Sequence, residues 1–419
     1  MSDWPTSRGG DHLGDDPRSL AFDQGDADQW MQRFRRMVHR VRAGETPLSE
    51  VVPRLHRYVT NSAVLWVAWR RLERRGGPAP GPDGIRYGDV TGTERWKACR
   101  DLRDGLRDGS YRPGRERIVQ VPKVGRPGTR PICLQPVPDR VVQAAVATVV
   151  GPFLDTGFDA NSFGYRAGRD RTHALALAEW YAVHEGRTVW VLADIKDAFG
   201  SVPVGRLLQV LESRLPCGDL TELVRQVLRR NAPGTSSKRG LRQGGPLSPV
   251  MLNLYLDHLL DRPWRGEHPD VPLVRFADDV LVLCRTADEA RACLHDLSRL
   301  LTPTGMRLKA ATEAETIRDL GAGKSADWLG FRVRLGRQGL LAGFGRGWLD
   351  QNGPCYRRKS VPRVADRIAE ACRRAAFEEY PDQDEVRDLW GSAHDRWEQT
   401  RRSVAEEVAG GCRRDSVQS

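Results

Sequence analysis

Apolar residues recur at helical spacing from Gln29 to about Arg75, in "WMQRFRRMVHRVRAG" and again in "NSAVLWVAWRRLERRGG". A period near 3.6 predicts amphipathic helices there. "GGPAPGPDGI" interrupts the pattern with Gly and Pro. Beyond it, "RERIVQVPKVGRPGTRPICL" reads as short strands around a Gly-Pro turn, and "DRVVQAAVATVVGPFL" and "THALALAEWYAVHEG" as helices. "RTVWVLADI" and "VPLVRFADDVLVLC" are short, nearly unbroken apolar runs, the pattern of buried strands. "VGRLLQVLESRL", "ELVRQVLRR" and "ADEARACLHDLSRLLTPTG" predict further helices, and "DWLGFRVRL" predicts strands. In "GGPLSPVMLNLYLDHLLDRPW", Ser248 suits an N-cap and Pro249 the first helical position, where its missing N–H costs nothing. The pattern is α+β, with helices flanking a small, mostly antiparallel sheet. Residues 1–28, rich in Asp, Gly, Ser and Pro, are expected to form a disordered acidic extension. An N-terminal helical segment over 29–80 follows.

Composition narrows the class. Of 419 residues, 39% are hydrophobic and 29% charged, and no run approaches the roughly 20 apolar residues of a membrane span. The N-terminus has no basic start followed by an apolar stretch, so no secretory signal is visible and a reducing cytoplasm is the expected compartment. Eight scattered cysteines with no CxxC pair argue against a zinc site or a disulfide framework. Net charge is +11, yet residues 1–30 hold seven Asp and two Arg, so the rest of the chain is more basic still. Such a body suits a polyanionic partner, most often nucleic acid, although an Arg-rich solvated surface would give the same count.

Two of the predicted strands end on acids. "VWVLADI" closes on Asp194, and Asp278 and Asp279 sit in the tight turn inside "VRFADDVLV". An Asp-Asp pair in a turn is by itself an ordinary solvated turn. If the two strands lie side by side, however, Asp194 and Asp278 converge, and close carboxylates repel unless a cation sits between them. Mg²⁺ takes oxygen ligands and shares its shell with substrate phosphates. Two such ions about 3.5–4 Å apart clamp the attacking and leaving oxygens of a phosphoryl transfer.

In this context the chain resembles the bacterial reverse transcriptases, in particular those encoded by group II introns and their stand-alone relatives. The resemblance runs in order from about Trp69 to Phe331, through "GPDGI", "VPKVGRPGTRPICLQPVPDRVVQ", "NSFGYRAGRDRTHAL", "DIKDAFGSV", "RQGGPLSPVMLNLYLD", "RFADDVLVL" and "WLGF". Seven blocks in register are specific where each alone is weak. The resemblance implies a right-hand polymerase with fingers and palm over 81–335, a short helical thumb over 336–409 and a tail over 410–419. It implies Asp194, Asp278 and Asp279 as catalytic acids, with Asp194, Ile195 and Asp278 at two Mg²⁺ or Mn²⁺ ions. Lys123 and Arg130 would reach the incoming deoxynucleoside triphosphate. Phe199 would stand as a wall against a 2′-hydroxyl, Ala198 would leave room for the sugar, and Gln243 would line the same site. Gly244 and Gly245 would let backbone approach the template or base pair. Arg166 and Arg169 would serve the template strand or brace the fingers. Read without the family, these are two surface cations, a core aromatic and a loop before a helix.

Some positions depart from the family pattern. Gly200 stands where an acid usually follows the aromatic wall, and Leu241-Arg242 precedes the Gln-Gly-Gly in place of Thr-Pro. Thr312 occupies the usual lysine position after "GMRL", and Lys309 is left without an assigned role. The function expected is RNA-directed DNA synthesis on an RNA template with a DNA or RNA primer, a non-coding RNA being a further candidate partner. The acidic leader and short C-terminal part favour a stand-alone role such as antiviral defence over an intron maturase that binds RNA as a splicing cofactor. Diversity generation, repair and CRISPR-linked roles stay open, as does the oligomeric state.

Overall fold

A computed structural model describes residues 17–75, 79–122, 128–167, 169–231, 236–336 and 339–344. Nine strands lie among them: β1 (Arg117–Pro122), β2 (Thr129–Leu134), β3 (Val189–Asp194), β4 (Leu273–Phe276), β5 (Asp279–Cys284), β6 (Ile317–Asp319), β7 (Ala326–Trp328), β8 (Phe331–Gly336) and β9 (Gly339–Phe344). They form three sheets, β1-β2, β4-β5-β3-β6 and β7-β8-β9. Together with the helices this is the mixed α+β arrangement expected. The chain divides into two compact units. Among the described residues, one holds those up to Val121 with Arg130–Phe158 and Phe199–Tyr255; the other holds Asp159–Ala198 and those from Leu256 to Phe344.

The first unit is helical around Val137–Asp155, whose Val141, Val142, Ala145, Val146, Val149 and Val150 are all buried. Helices Pro17–Arg42, Ser62–Arg75 and Gly92–Arg107 pack about it. The first of these corrects the expectation for residues 1–28. Helix begins at Pro17, inside the stretch read as an extension, and residues 1–16 lie outside the described ones. Ala27, Met31, Phe34 and Val38 are buried in it at helical spacing. Extending a formed helix is far cheaper than nucleating one, so the Asp-rich turns at its start are carried by the apolar stripe that follows.

The second unit explains the unbroken apolar runs. On β3 and β5 the side chains alternate faces. Trp190, Leu281 and Leu283 join a core with Ala174, Leu175 and Ala178 of the helix Arg171–His184. Val280, Val282 and Cys284 have the opposite parity and meet the helix Ala287–Leu301. A sheet covered on both faces has no solvent side to mark with polar residues. Thr286 caps that second helix by accepting from Glu289 N, and Gly305 ends the following turn at φ +81°. β8 and β9 carry the sheet past residue 335, on to Phe344. Phe331 and Val333 alternate with exposed Arg332 and Arg334, a period of two that excludes a helix at this point. The remainder of the helical region expected over 336–409, and the tail over 410–419, lie outside the described residues.

Candidate active site

Asp194 ends β3 and pairs with Asp279, the first residue of β5. On the other side of β5, Phe276 pairs with the same Asp279, leaving Ala277 and Asp278 as a two-residue turn. Ile195 N donates to Asp278 O at 3.0 Å, so the end of β3 is bonded directly to the turn. The backbones carrying Asp194, Ile195, Asp278 and Asp279 therefore meet. A cation faces this point. Lys309 N donates to Asp194 O at 2.8 Å, and its ammonium donates to Asp194 Oδ2. Thr312, at the family's usual lysine position, is instead the N-cap of a short helix, in a capping box with Glu315. The second carboxylate oxygen, Asp194 Oδ1, is buried and has no hydrogen-bond partner.

The turn is held by residues to which sequence reasoning assigned no part. Ala277 has φ +59°, a left-handed value that is uncommon outside glycine and persists only where the surroundings impose it. Arg275 imposes it from below. This arginine is 1% exposed; its Nε and Nη2 donate to Asp261 Oδ1 and Oδ2 at 2.8 and 2.6 Å, and its Nη1 donates to Ala277 O at 2.9 Å. Burial pushes the Asp261 carboxyl up against the opposing pull of Arg275. Asp261 closes a π-helical stretch, Asp257–Asp261, an irregularity that recurs at functional sites. Above the turn runs the segment 161–164. Arg275 N donates to Asn161 O at 2.9 Å, and Phe163 N donates to Arg275 O at 2.8 Å. A Cβ on Gly164 would stand against Ala277 N, 2.9 Å from the Phe276 carbonyl carbon. Only glycine lets the two backbones approach so closely. The available signals were an arginine inside a buried strand and a glycine inside "NSFGYRAG".

The other expected site residues fall as follows. Lys123 lies outside the described residues. Arg130 is exposed on β2, and Ala198 is buried at the start of the short helix Ala198–Ser201, where Phe199 is half-buried. Within the first unit, Leu241 N donates to Phe199 O at 2.7 Å, and Cys133 N of β2 donates to Gln243 O at 2.9 Å. Phe199, the Gln-Gly-Gly loop and the strand bearing Arg130 are thus tied together. Gly244 has φ +93°, and a Cβ on Gly245 would stand 2.6 Å from Gln143 Oε1. Gly200 lies where a Cβ on Gly240 would already be 3.2 Å from its carbonyl oxygen. Arg242 is buried, donating from Nε to Glu116 Oε2 at 3.0 Å and from Nη1 to Val227 O at 2.8 Å. Burial pushes the Glu116 carboxyl up, but Arg242, Cys133, Asn231 and Arg230 together hold it below the usual glutamate value. In the second unit, Arg166 Nη1 donates to Asp159 O and Ser162 O, both at 2.7 Å, and Arg169 Nη1 donates to Ala160 O at 2.5 Å. Both guanidiniums therefore brace their own loop, with Arg169 also lying 5.3 Å over the Phe163 ring.

The donor set suits a hard cation. Asp194 Oδ1 offers an unshared buried oxygen, and a buried carboxylate oxygen without a partner is costly. Among the described residues no three His, Cys, Asp or Glu side chains gather into a metal-binding group. A cation here would complete its shell with backbone and substrate oxygens, as Mg²⁺ commonly does. No helix among the described residues is long and apolar enough to cross a membrane.

Residues 121–333, just over half of the chain, match the family Reverse transcriptase (RNA-dependent DNA polymerase). The chain is 26% identical over 219 residues to the group II intron-encoded protein LtrA of Lactococcus lactis subsp. cremoris, covering 51% of this chain and 36% of that protein. It is 27% identical over 214 residues to protein YkfC of Escherichia coli K12, covering 49% and 56%. It therefore spans about a third of the length of the first and just over half of the second. Among solved structures, telomerase from Candida albicans aligns at TM-score 0.44 and 14% identity, over 71% of this chain and 57% of that one. The family match covers β3, β4, β5 and the turn between the last two, where Asp194 and Asp278 meet: the chain belongs to the reverse transcriptase family.

Proposed function

We propose that the chain is an RNA-directed DNA polymerase that adds deoxynucleotides to the 3′ end of a primer paired with an RNA template. The observation that carries this reading is the junction of β3 with the β4–β5 turn, which joins Asp194 and Asp278 through Ile195 N and leaves Asp194 Oδ1 unpartnered. Reverse transcriptases use divalent metal ions. Asp194 and Asp278, with the Ile195 carbonyl, would hold Mg²⁺ or Mn²⁺, and Asp279 would support them from β5. When bound, two such ions lower the charge barrier between the primer 3′-oxygen and the α-phosphate. The primer 3′-hydroxyl loses its proton to solvent, its oxygen attacks the α-phosphorus, and pyrophosphate leaves. Lys123 and Arg130 bind the triphosphate. Ala198 admits the sugar, Phe199 excludes a 2′-hydroxyl, and Gln243 with Gly244 and Gly245 contacts the nascent base pair. Arg166 and Arg169 act on the template–primer through the loop they hold.

Primer extension on an RNA template with Mg²⁺ tests the proposal. The wild-type chain extends the primer, and Asp278→Ala lowers the rate by at least about 100-fold, the scale of losing one centre of transition-state charge stabilisation. Extension that survives Asp278→Ala rejects the assignment. A second reading, an RNA-binding splicing cofactor, draws on the likeness to a group II intron-encoded protein. It needs no palm carboxylates, so intron RNA binding without primer extension by the wild type selects it. Antiviral defence is one use of the polymerase. Phage plaque counts on cells carrying wild type or Asp278→Ala decide that role, and equal counts reject it.

A further inference from the structure

The side chains of Arg275 and Asp261 pair beside the turn that carries Asp278, and they are almost wholly buried, at 1% and 2% exposure. Drawing two charges out of water is costly, and an apolar pair of similar volume is often as stable or more so. A buried ion pair is therefore weak grounds for stability. Asp261 shows the cost: burial raises its carboxyl above the ordinary aspartate value, although Arg275 pulls the other way.

What the pair adds is spatial. Arg275 Nε donates to Asp261 Oδ1 at 2.8 Å and Nη2 donates to Oδ2 at 2.6 Å, a two-point grip that fixes the guanidinium plane. The remaining terminal nitrogen, Nη1, is thereby aimed, and it donates to Ala277 O at 2.9 Å. That carbonyl belongs to the left-handed residue immediately before Asp278. An apolar pair would fill the same space and leave the carbonyl without this donor.

Both ends of the pair are anchored independently of the turn. Arg275 bridges Ser162 in parallel, its N donating to Asn161 O at 2.9 Å and its O accepting from Phe163 N at 2.8 Å. Asp261 ends the π-helical stretch, whose first residue, Asp257, accepts from Asp159 N at 2.9 Å and from Arg262 Nε at 2.8 Å. The guanidinium is thus placed from two sides before it reaches Ala277.

We propose that Arg275 is a positioning residue for nucleotide addition: gripped by Asp261, it fixes the Ala277 carbonyl and so sets where the turn presents Asp278. This rests on the polymerase reading, and it assigns the pair to rate more than to folding. The acids carry the chemistry, and Arg275 acts through the backbone that bears them.

The test uses the full chain on an RNA template–DNA primer duplex. Single-turnover incorporation is measured at saturating deoxynucleotide, duplex affinity by anisotropy, and stability by urea unfolding of each variant. The double variant Arg275→Met/Asp261→Leu replaces the ionic pair with an apolar one. Its unfolding free energy holds or rises. Duplex affinity stays within about twofold, while the incorporation rate falls about 100-fold, as a misplacement of about 1 Å does. Arg275→Lys is the second variant. Its ammonium still neutralises Asp261, so no buried charge is stranded, but a point charge lacks the planar fork that serves Asp261 and Ala277 O together. Its rate falls as well, with duplex affinity kept. A wild-type rate in the double variant overturns the proposal. So does a loss of stability and duplex affinity in both variants in step with rate, which is the mark of a merely structural pair. If the wild type does not extend the primer, the polymerase reading itself fails; if it does and the double variant matches it, only the positioning role fails.

Discussion

Gly164 shows how a single missing atom governs the candidate site. Its Cα faces the Phe276–Ala277 backbone at a distance no side chain allows, and Ala277 must hold a left-handed φ at the same place. Gly164→Ala would push the turn away from β3 and with it the carbonyl of Asp278 that Ile195 N grips. Overpacking of this kind costs about 1–3 kcal/mol, which the fold can absorb. The site tolerates less, because a misplacement of about 1 Å can cost roughly 100-fold in rate. The expected outcome is a folded chain whose single-turnover nucleotide incorporation falls about 100-fold with duplex affinity kept. Rapid-quench kinetics beside anisotropy checks it, and an unchanged rate would show that the turn does not depend on this contact. Asp194 and Asp278 were legible at this scale because acids ending apolar runs stand out. Gly164 was legible only as one glycine among many, because its role depends on what lies opposite.

Strands and helices gain their registers from buried ionic groups that the apolar pattern does not reveal. Arg275 ties β4 to the π-helical stretch through Asp261, and Arg242 ties the Gln-Gly-Gly loop to Glu116 at the foot of β1. Removing one partner of such a pair strands the other as a buried charge, at a cost of about 3–5 kcal/mol. Glu116→Gln is expected to lower unfolding free energy on that scale at pH 7. The pH dependence has a definite sign. Glu116 titrates below its ordinary value in the folded chain, so its contribution is complete above that ordinary value and is lost as pH falls through the folded one. The gap between wild type and Glu116→Gln therefore narrows in acid. Urea unfolding at pH 7 and near the acid limb measures it, and a gap that widens in acid would contradict the assignment. Arg242 was visible in the sequence only as a departure from a family habit; its function came from a glutamate more than a hundred positions away.

Over the whole molecule, basic residues outnumber acidic ones by 66 to 55, which either a polyanionic partner or a solvated Arg-rich surface accounts for. A chain that grips a template–primer duplex by its phosphates releases counterions as it binds, so affinity should fall by more than about tenfold between roughly 50 and 200 mM salt. A fluorescence titration across that range checks it. Affinity that stays flat would mean that the positive charge serves solubility. The extents of the end elements also belong to this scale. Helix starting at Pro17 and strand continuing to Phe344 both overrun the limits set by composition.

What the sequence determined by itself was periodicity: which stretches are helix or strand, which strands are covered on both faces, and that acids stand at two strand ends in a family order. Those properties are local, and local spacing is what a linear pattern records. Tertiary structure alone decided which backbones touch. The left-handed turn at Ala277, the glycine that admits it, the arginine beneath it and the lysine that meets Asp194 depend on contacts between distant segments, and distance along the chain carries no information about distance in space.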